Sequence, residues 1–197
     1  MSERIVLASG SASRRAMLTH AGVPHDVMPT QVDEAAIKRD LATSAPADLA
    51  AALALAKARA GSDAAPGRIV LGGDSLVALD GRIYDKPASR AEAAEHLAAF
   101  SDHTIALHSA AALVRDGQTL ATTADVAQLV VRPLSPGFIE AYLDAEWPAI
   151  AACAGCFRIE GMGVQLFSSL KGNHFTILGM PLLGLLSELR TLDVMTS

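Results

Sequence analysis

The chain predicts an α/β fold, a mixed twisted sheet with flanking helices, on three observations. Short apolar runs alternate with helical segments near its start, as in β-α-β units. Two Asp-Gly turns, Asp80-Gly81 and Asp116-Gly117, then separate pairs of apolar runs, the signature of antiparallel hairpins. Helical segments return beyond Ser135, the last opening on Pro181. No low-complexity linker or repeat interrupts the 197 residues, so a single domain over 1–197, or two lobes sharing a core, is expected.

In chain order, "RIVLA" at 4 to 8 reads as a buried strand, and 11 to 22 as a helix that Gly22 ends ahead of Pro24. "HDVMP" at 25 to 29 reads as a short strand, and "VDEAAIKRDLA" from Val32 spaces its apolar residues as a helix does. The helix "DLAAALALAKAR", 48 to 59, is expected to stop at Gly61, before the Pro66-Gly67 turn. "RIVLGGD", 68 to 74, repeats the opening pattern of a strand running into small residues and a polar group. "SRAEAAEHLAAF", 89 to 100, is a helix with a capping box formed by Ser89 and Glu92. Long strands are expected at 103 to 114 and 118 to 132, a helix at 136 to 144, and a loose tail after Leu192.

Hydrophobic residues make up 51% of the chain but aromatic residues only 4%, so Ala, Leu, Val and Ile must build the core. A net charge of −5 argues against a protein that grips a nucleic-acid backbone, because that affinity comes from Lys and Arg. A small anion is not excluded, since a cation ~4 Å from a phosphate gains a few kcal/mol at intermediate dielectric. No apolar run approaches the ~18 residues that span a bilayer and no basic-flanked leader is read, so a cytoplasmic protein with no membrane partner is expected.

Chemistry concentrates in a few places. Ser9, Ser11 and Ser13 alternate with small residues ahead of Arg14 and Arg15 where a strand turns into a helix. Helix N-terminal amides, hydroxyls and an Arg fork together suit a phosphate, although the same serines are equally good caps. Neither GxxxxGK[ST] nor GxGxxG occurs in the chain. Asp74 follows Gly72 and Gly73 at the expected end of a strand, where a carboxylate holds a metal, orients a water, or merely closes a turn. Lys86 in "YDKPAS" and Lys57 on the Ala-rich helix read either as solvated charges or, with Arg14, as cations for a triphosphate. Glu160 lies beside Gly161, a place a planar ligand can approach, or pairs with a neighbour. Cys153 and Cys156 have redox-pair spacing but come late in the chain, and no paired histidines complete a zinc site. Trp147 before Pro148 reads as rim or core packing, or as a ring that stacks on a base.

Together these stretches resemble the Maf family of nucleoside triphosphate pyrophosphatases. "LASGSASRRAML" is similar to the family's opening "LASxSPRRxxLL"; "VDE" at 32 to 34, "LAKA" at 55 to 58, "GGDSLV" at 72 to 77, "DKP" at 85 to 87, "FRIEGMGVQLF" and "GMPLLGL" follow in the family's order, over nearly the whole chain. The resemblance implies two lobes around a deep cleft, as in inosine-triphosphatase-like folds, and hydrolysis between the α and β phosphates. It implies Asp74 as the catalytic proton acceptor, Ser9, Ser11, Arg14, Lys57 and Lys86 as phosphate ligands, and Asp74 with Glu34 on a divalent cation, Mg2+ or Mn2+. Base preference falls to Ser13, Ser75 and Glu160. A nucleoside triphosphate is the implied partner, with no stable nucleic-acid complex; a homodimer is left open.

Members acting on thymidine or uridine triphosphates carry Gln in "YGIQG" and Lys in "DKAG", where this chain has Glu160 and Cys153. The histidine of "SGRTHxVxTG" is replaced by Ile105. These departures resemble the branch that hydrolyses 7-methyl-GTP, and a carboxylate suits the adjacent N1–H and amino donors of guanine. Ser13 and Ala12 depart from that branch's aromatic residue and proline. The alternatives are a dTTP/UTP or CTP pyrophosphatase, a non-catalytic binding protein linked to septum formation, and a thiol oxidoreductase.

Overall fold

A computed structural model describes residues 3–196. Strand β1 (Ile5–Leu7) leads to helix α1 (Ala12–His20), β2 (His25–Val27), α2 (Glu34–Asp40) and α3 (Pro46–Ala64). The centre holds β3 (Val70–Leu79), β4 (Arg82–Tyr84), α4 (Arg90–Phe100), β5 (Thr104–Arg115) and β6 (Gln118–Val131). Helix α5 (Pro136–Glu146), two 3-10 turns (Ala149–Ala152 and Met162–Leu166), β7 (Phe167–Lys171), α6 (His174–Ile177) and α7 (Leu182–Thr191) complete it. The capping serines are as expected, although Glu92 closes its side of the box on Ala88 N rather than on Ser89 N. Ser11, Ser89 and Ser135 each accept a backbone N–H at the start of α1, α4 and α5. Both Asp-Gly turns have positive φ at both residues, as a type I′ hairpin turn requires.

The seven strands form one mixed sheet in the order β2-β1-β3-β5-β6-β7, with β4 also on β3. Pairing of β1 with β2 and β3 is parallel, and the rest is antiparallel. Strand β5 holds one edge of β3 from Val70↔Val114 to Ala78↔Ala106. The other edge is shared: β1 lies beside Val70 and Leu71, and β4 beside Val77 to Leu79. Residues 72–76 between them have no strand on that side among the described residues. The sheet therefore forks at Gly72–Leu76, and the notch faces the loops that leave β1 and β4.

The core divides at the same place. One apolar cluster packs α4 and α5 on β4, the far end of β3 and β6, with Tyr142 and Phe100 at its centre. Others pack α1 and α7 on β1 and the near end of β3, and α3 on the opposite face. These are the two lobes, joined by the long strands β3, β5 and β6.

Three expectations are corrected, and two elements were missed. Helix α3 does not stop at Gly61 but runs to Ala64: Gly61 is not among the positive-φ glycines, and it stands where a Cβ would come within 2.7 Å of Val70 Cγ1 and 3.0 Å of Ala8 Cβ. That glycine serves packing. Strand β3 does not end at Asp74 but continues to Leu79, because β5 supplies ladder partners throughout. The tail is not loose at Val194, which is 1% exposed and donates to Leu189 O. Strand β7 and α6 were not legible, because "FSSLK" is an exposed edge strand without apolar alternation.

Candidate active site

Strand alternation sorts the β3 side chains at the notch onto two faces. Gly72 faces α3 so closely that a Cβ would lie 2.1 Å from Ala54 O and 2.5 Å from Ala58 N. Gly73 faces the other way, where a Cβ would meet Arg14 Cδ and Nε at 3.2 Å. Asp74 thus points toward α3 and Ser75 toward Arg14. The β3 edge between the two faces carries no strand among the described residues.

On the first face, Lys57 Nζ of α3 donates to Asp74 Oδ1 at 2.6 Å and lies 2.9 Å from Glu34 Oε1 of α2. With its side chain 14% exposed, Lys57 is not the solvated lysine an Ala-rich helix suggests. Burial pushes the Glu34 carboxyl up, but the Lys57 hydrogen bond and the charges of Lys57, Lys38 and Lys86 outweigh it and hold Glu34 below its ordinary value. Lys38 pairs with Asp85, fastening α2 to the loop that carries Lys86. Lys86 itself is exposed and makes no hydrogen bond or ion pair among the described residues.

On the second face, Arg14 is 7% exposed. Its Nε donates to Gly179 O at 2.9 Å, Nη1 to Ser9 Oγ at 3.2 Å, and Nη2 to Ser75 Oγ at 3.1 Å. All three acceptors are neutral, and Arg14 has no ion pair among the described residues. Burial lowers its pKa and the charges of Asp74 and Glu34 only partly offset this, yet a guanidinium stays cationic. Ser9 Oγ also accepts from Ser11 N, while Ser11 Oγ caps α1 through Arg14 N. The capping reading therefore holds for Ser11, while Ser9 shapes the loop around Arg14.

The C-terminal segment completes this face. Ser109 Oγ donates to Thr176 O at 2.9 Å, and Thr176 Oγ1 donates to Asp125 Oδ2 at 2.6 Å. These bonds seat α6 over the row Ser75, Ser109, Asp125 and carry the Gly179 carbonyl to Arg14. Sequence reasoning missed Ser109, Thr176 and Gly179; "GMPLLGL" was noticed as a motif, but a backbone carbonyl has no sequence signature.

The base-preference positions are less concentrated. Ser13 is half-buried in the first turn of α1. Glu160 is exposed, with no hydrogen bond or ion pair among the described residues, because Arg158 turns instead to Glu146. Glu160 and Lys86 both lie near enough to Cys153 for their charges to act on its thiol. Both cysteines are free thiols; burial raises Cys153 and pushes Cys156 up to about 12, which opposes the thiolate a redox pair needs. Trp147 packs on the α5 core.

Asp74 and Glu34 converge on one point, the Lys57 ammonium, and offer only hard carboxylate oxygens. That donor set fits Mg2+ or Mn2+, which take one or two carboxylates and complete their shell with water and substrate phosphates.

A model of the family described as Maf-like protein matches residues 4–192. A nucleoside triphosphate pyrophosphatase of Nitrobacter winogradskyi is 45% identical over 190 residues, covering 96% of this chain and 94% of its own. A 7-methyl-GTP pyrophosphatase of Mesorhizobium japonicum is 45% identical over 194 residues, covering 98% of each. A solved nucleoside-triphosphatase, a dITP/XTP pyrophosphatase of Mycobacterium abscessus, aligns over 97% of this chain and 95% of its own at TM-score 0.44 and 19% identity. No helix among the described residues is long and apolar enough to cross a membrane.

Proposed function

The chain belongs to the Maf-like family, and on that premise we propose the substrate and the residue roles of its site. It is a nucleoside triphosphate pyrophosphatase, a hydrolase of acid anhydrides. The preferred nucleotide is 7-methyl-GTP. One observation carries the anionic half of this reading: Arg14 is a buried cation held by neutral acceptors alone. Burying an unpaired charge costs several kcal/mol, which an anionic ligand offsets. Three of its five N–H donors are engaged, leaving two for phosphate oxygens.

Water attacks the α-phosphorus, the bond to the bridging oxygen breaks, and pyrophosphate leaves with a monophosphate as the other product. Arg14, Ser9, Ser11 and the amides at the start of α1 bind the polyphosphate on one side of the notch, and Lys57 and Lys86 spread its charge on the other. Asp74 accepts the proton of the attacking water, while Glu34 keeps Lys57 oriented. Asp74 and Glu34 would hold a divalent cation, Mg2+ or Mn2+, which supplies charge neutralisation and a lowered pKa of bound water. Ser75 acts on base preference through the Arg14 fork it accepts from.

The base assignment rests on Glu160. Its carboxylate is exposed and unpaired among the described residues, so it is available to accept the two adjacent donors of guanine. The Mesorhizobium relative's name agrees with this reading. The test is pyrophosphate release with Mg2+ or Mn2+ from 7-methyl-GTP, GTP, dTTP, UTP and CTP, on wild type and Glu160→Gln. The expected result is that 7-methyl-GTP leads and the substitution lowers it selectively; a leading pyrimidine nucleotide refutes the base assignment while leaving the reaction intact.

A further inference from the structure

A single residue, Ile159, separates Glu160 from a guanidinium that ought to be its partner. Arg158 and Glu160 flank Ile159 in the loop before the second 3-10 turn, and the Glu160 charge acts on the Arg158 guanidinium. Yet Arg158 Nε and Nη2 both donate to Glu146 Oε2, at 3.0 and 2.7 Å. Glu146 is the last residue of α5, and its side chain is only 7% exposed. Its other oxygen, Oε1, lies 3.5 Å from where a Cβ of Gly161 would stand, so the same carboxylate passes beneath the residue that follows Glu160. Gly163 closes the turn against the Arg158 backbone, where a Cβ would come within 2.5 Å of Arg158 O. The loop is anchored again at Cys156, whose carbonyl accepts from the Tyr142 hydroxyl at 3.0 Å.

We propose that Glu146 is a positioning residue for base selection: by holding Arg158 against α5 it keeps the Glu160 carboxylate free for the purine. The inference rests on Glu160 reading the base. Its physical content is a competition between two carboxylates for one guanidinium. Glu146 wins because it is pre-placed on a rigid helix and largely shielded from water, where an ion pair is screened less than at an exposed site. The pairing also neutralises Arg158, so that no unpaired guanidinium stands where a cationic 7-methylguanine would dock. If the Glu146 charge is removed, Arg158 finds its nearest carboxylate in Glu160 and masks it.

The experiment compares kcat/KM for 7-methyl-GTP and for UTP in wild type, Glu160→Gln, Glu146→Gln, and the double variant Glu146→Gln/Arg158→Gln, with thermal melting on each. The selectivity ratio of Glu146→Gln is expected to fall about fivefold, the fold-change matching a competing ion pair of about 1 kcal/mol. The double variant is expected to restore the ratio, because the competitor is gone; a merely structural role of Glu146 would leave the double variant at least as impaired. Arg158→Lys, which keeps the charge and loses the two-donor grip, is expected to lower the ratio too and serves if Glu146→Gln does not fold. Loss of selectivity in Glu160→Gln without loss in Glu146→Gln or Arg158→Lys, or a failure of the double variant to recover, overturns the positioning role alone. An unchanged ratio in Glu160→Gln overturns the base assignment beneath it.

Discussion

Replacing Arg14 with Met separates binding from folding. Met has similar length and no charge, and Arg14 lies 7% exposed against Gly73, so the side chain refills much of the same space. Two stability effects oppose each other. Three hydrogen bonds from a charged donor are lost, each worth about 1.5–3 kcal/mol, and the Gly179 carbonyl loses its Arg14 partner. Against this, a buried charge that Asp74 and Glu34 offset only partly disappears, relieving several kcal/mol of desolvation. The two nearly cancel, so the melting temperature is expected within about 4 °C of wild type, the shift matching about 1 kcal/mol for a chain of this size. Function does not cancel. The two remaining donors, at about 1.5–3 kcal/mol each, correspond to a loss of about 10²- to 10⁴-fold in kcat/KM. The assay pairs nucleotide turnover with thermal melting in the presence and absence of inorganic pyrophosphate. Wild type is expected to gain about 2.7 kcal/mol at a hundredfold excess over Kd, and Arg14→Met little or none. A variant stabilised by pyrophosphate as wild type is, or one that unfolds outright, refutes the view of Arg14 as a cation kept for a ligand.

Three further outcomes follow from the geometry. Gly72→Ala drives a Cβ into the α3 backbone at 2.1 Å and is expected to lose about 1–3 kcal/mol of stability, whereas Gly73→Ala meets only the Arg14 side chain at 3.2 Å and should lower turnover more than melting temperature. Asp26 is held down to about 2 by the Arg4 and Arg68 hydrogen bonds, so its contribution is present above the ordinary carboxyl pKa of 3.8 and is lost as pH falls toward 2; Asp26→Asn should flatten the melting-temperature profile in that window. Cys153→Ser is expected to keep full turnover while Asp74→Asn loses at least about 10²-fold in kcat, the usual worth of a general base, and the reverse order would restore the thiol reading.

The notch was legible in pieces. "LASGSASRR" and "GGDS" each announce a polar group after an apolar run, and both do lie together, because β1 and β3 pair in parallel and β1 ends at Leu7, beside Leu71 and just ahead of Gly72. The two glycines were seen to permit close approach, but not that they serve opposite faces, since this depends on β3 continuing past Asp74. Lys57 could not be distinguished from a solvated lysine until α3 was laid across β3. The Glu146–Arg158 pair escaped notice because nothing within either residue's neighbours marks a contact between the end of a helix and a loop.

What the sequence by itself determined is the local repertoire: caps at Ser11, Ser89 and Ser135, type I′ turns at the Asp-Gly pairs, apolar runs for strands, and the motif order that places the chain in its family. These follow from interactions within a few residues, which sequence spacing encodes directly. Only the tertiary structure decided that β1 and β4 share one edge of β3 and leave a gap beside Asp74. It alone decided, too, that the carbonyl of Gly179, 165 positions from Arg14, would fix the guanidinium. Burial and charge compensation depend on what every distant segment brings to one point, and no window of sequence contains that sum.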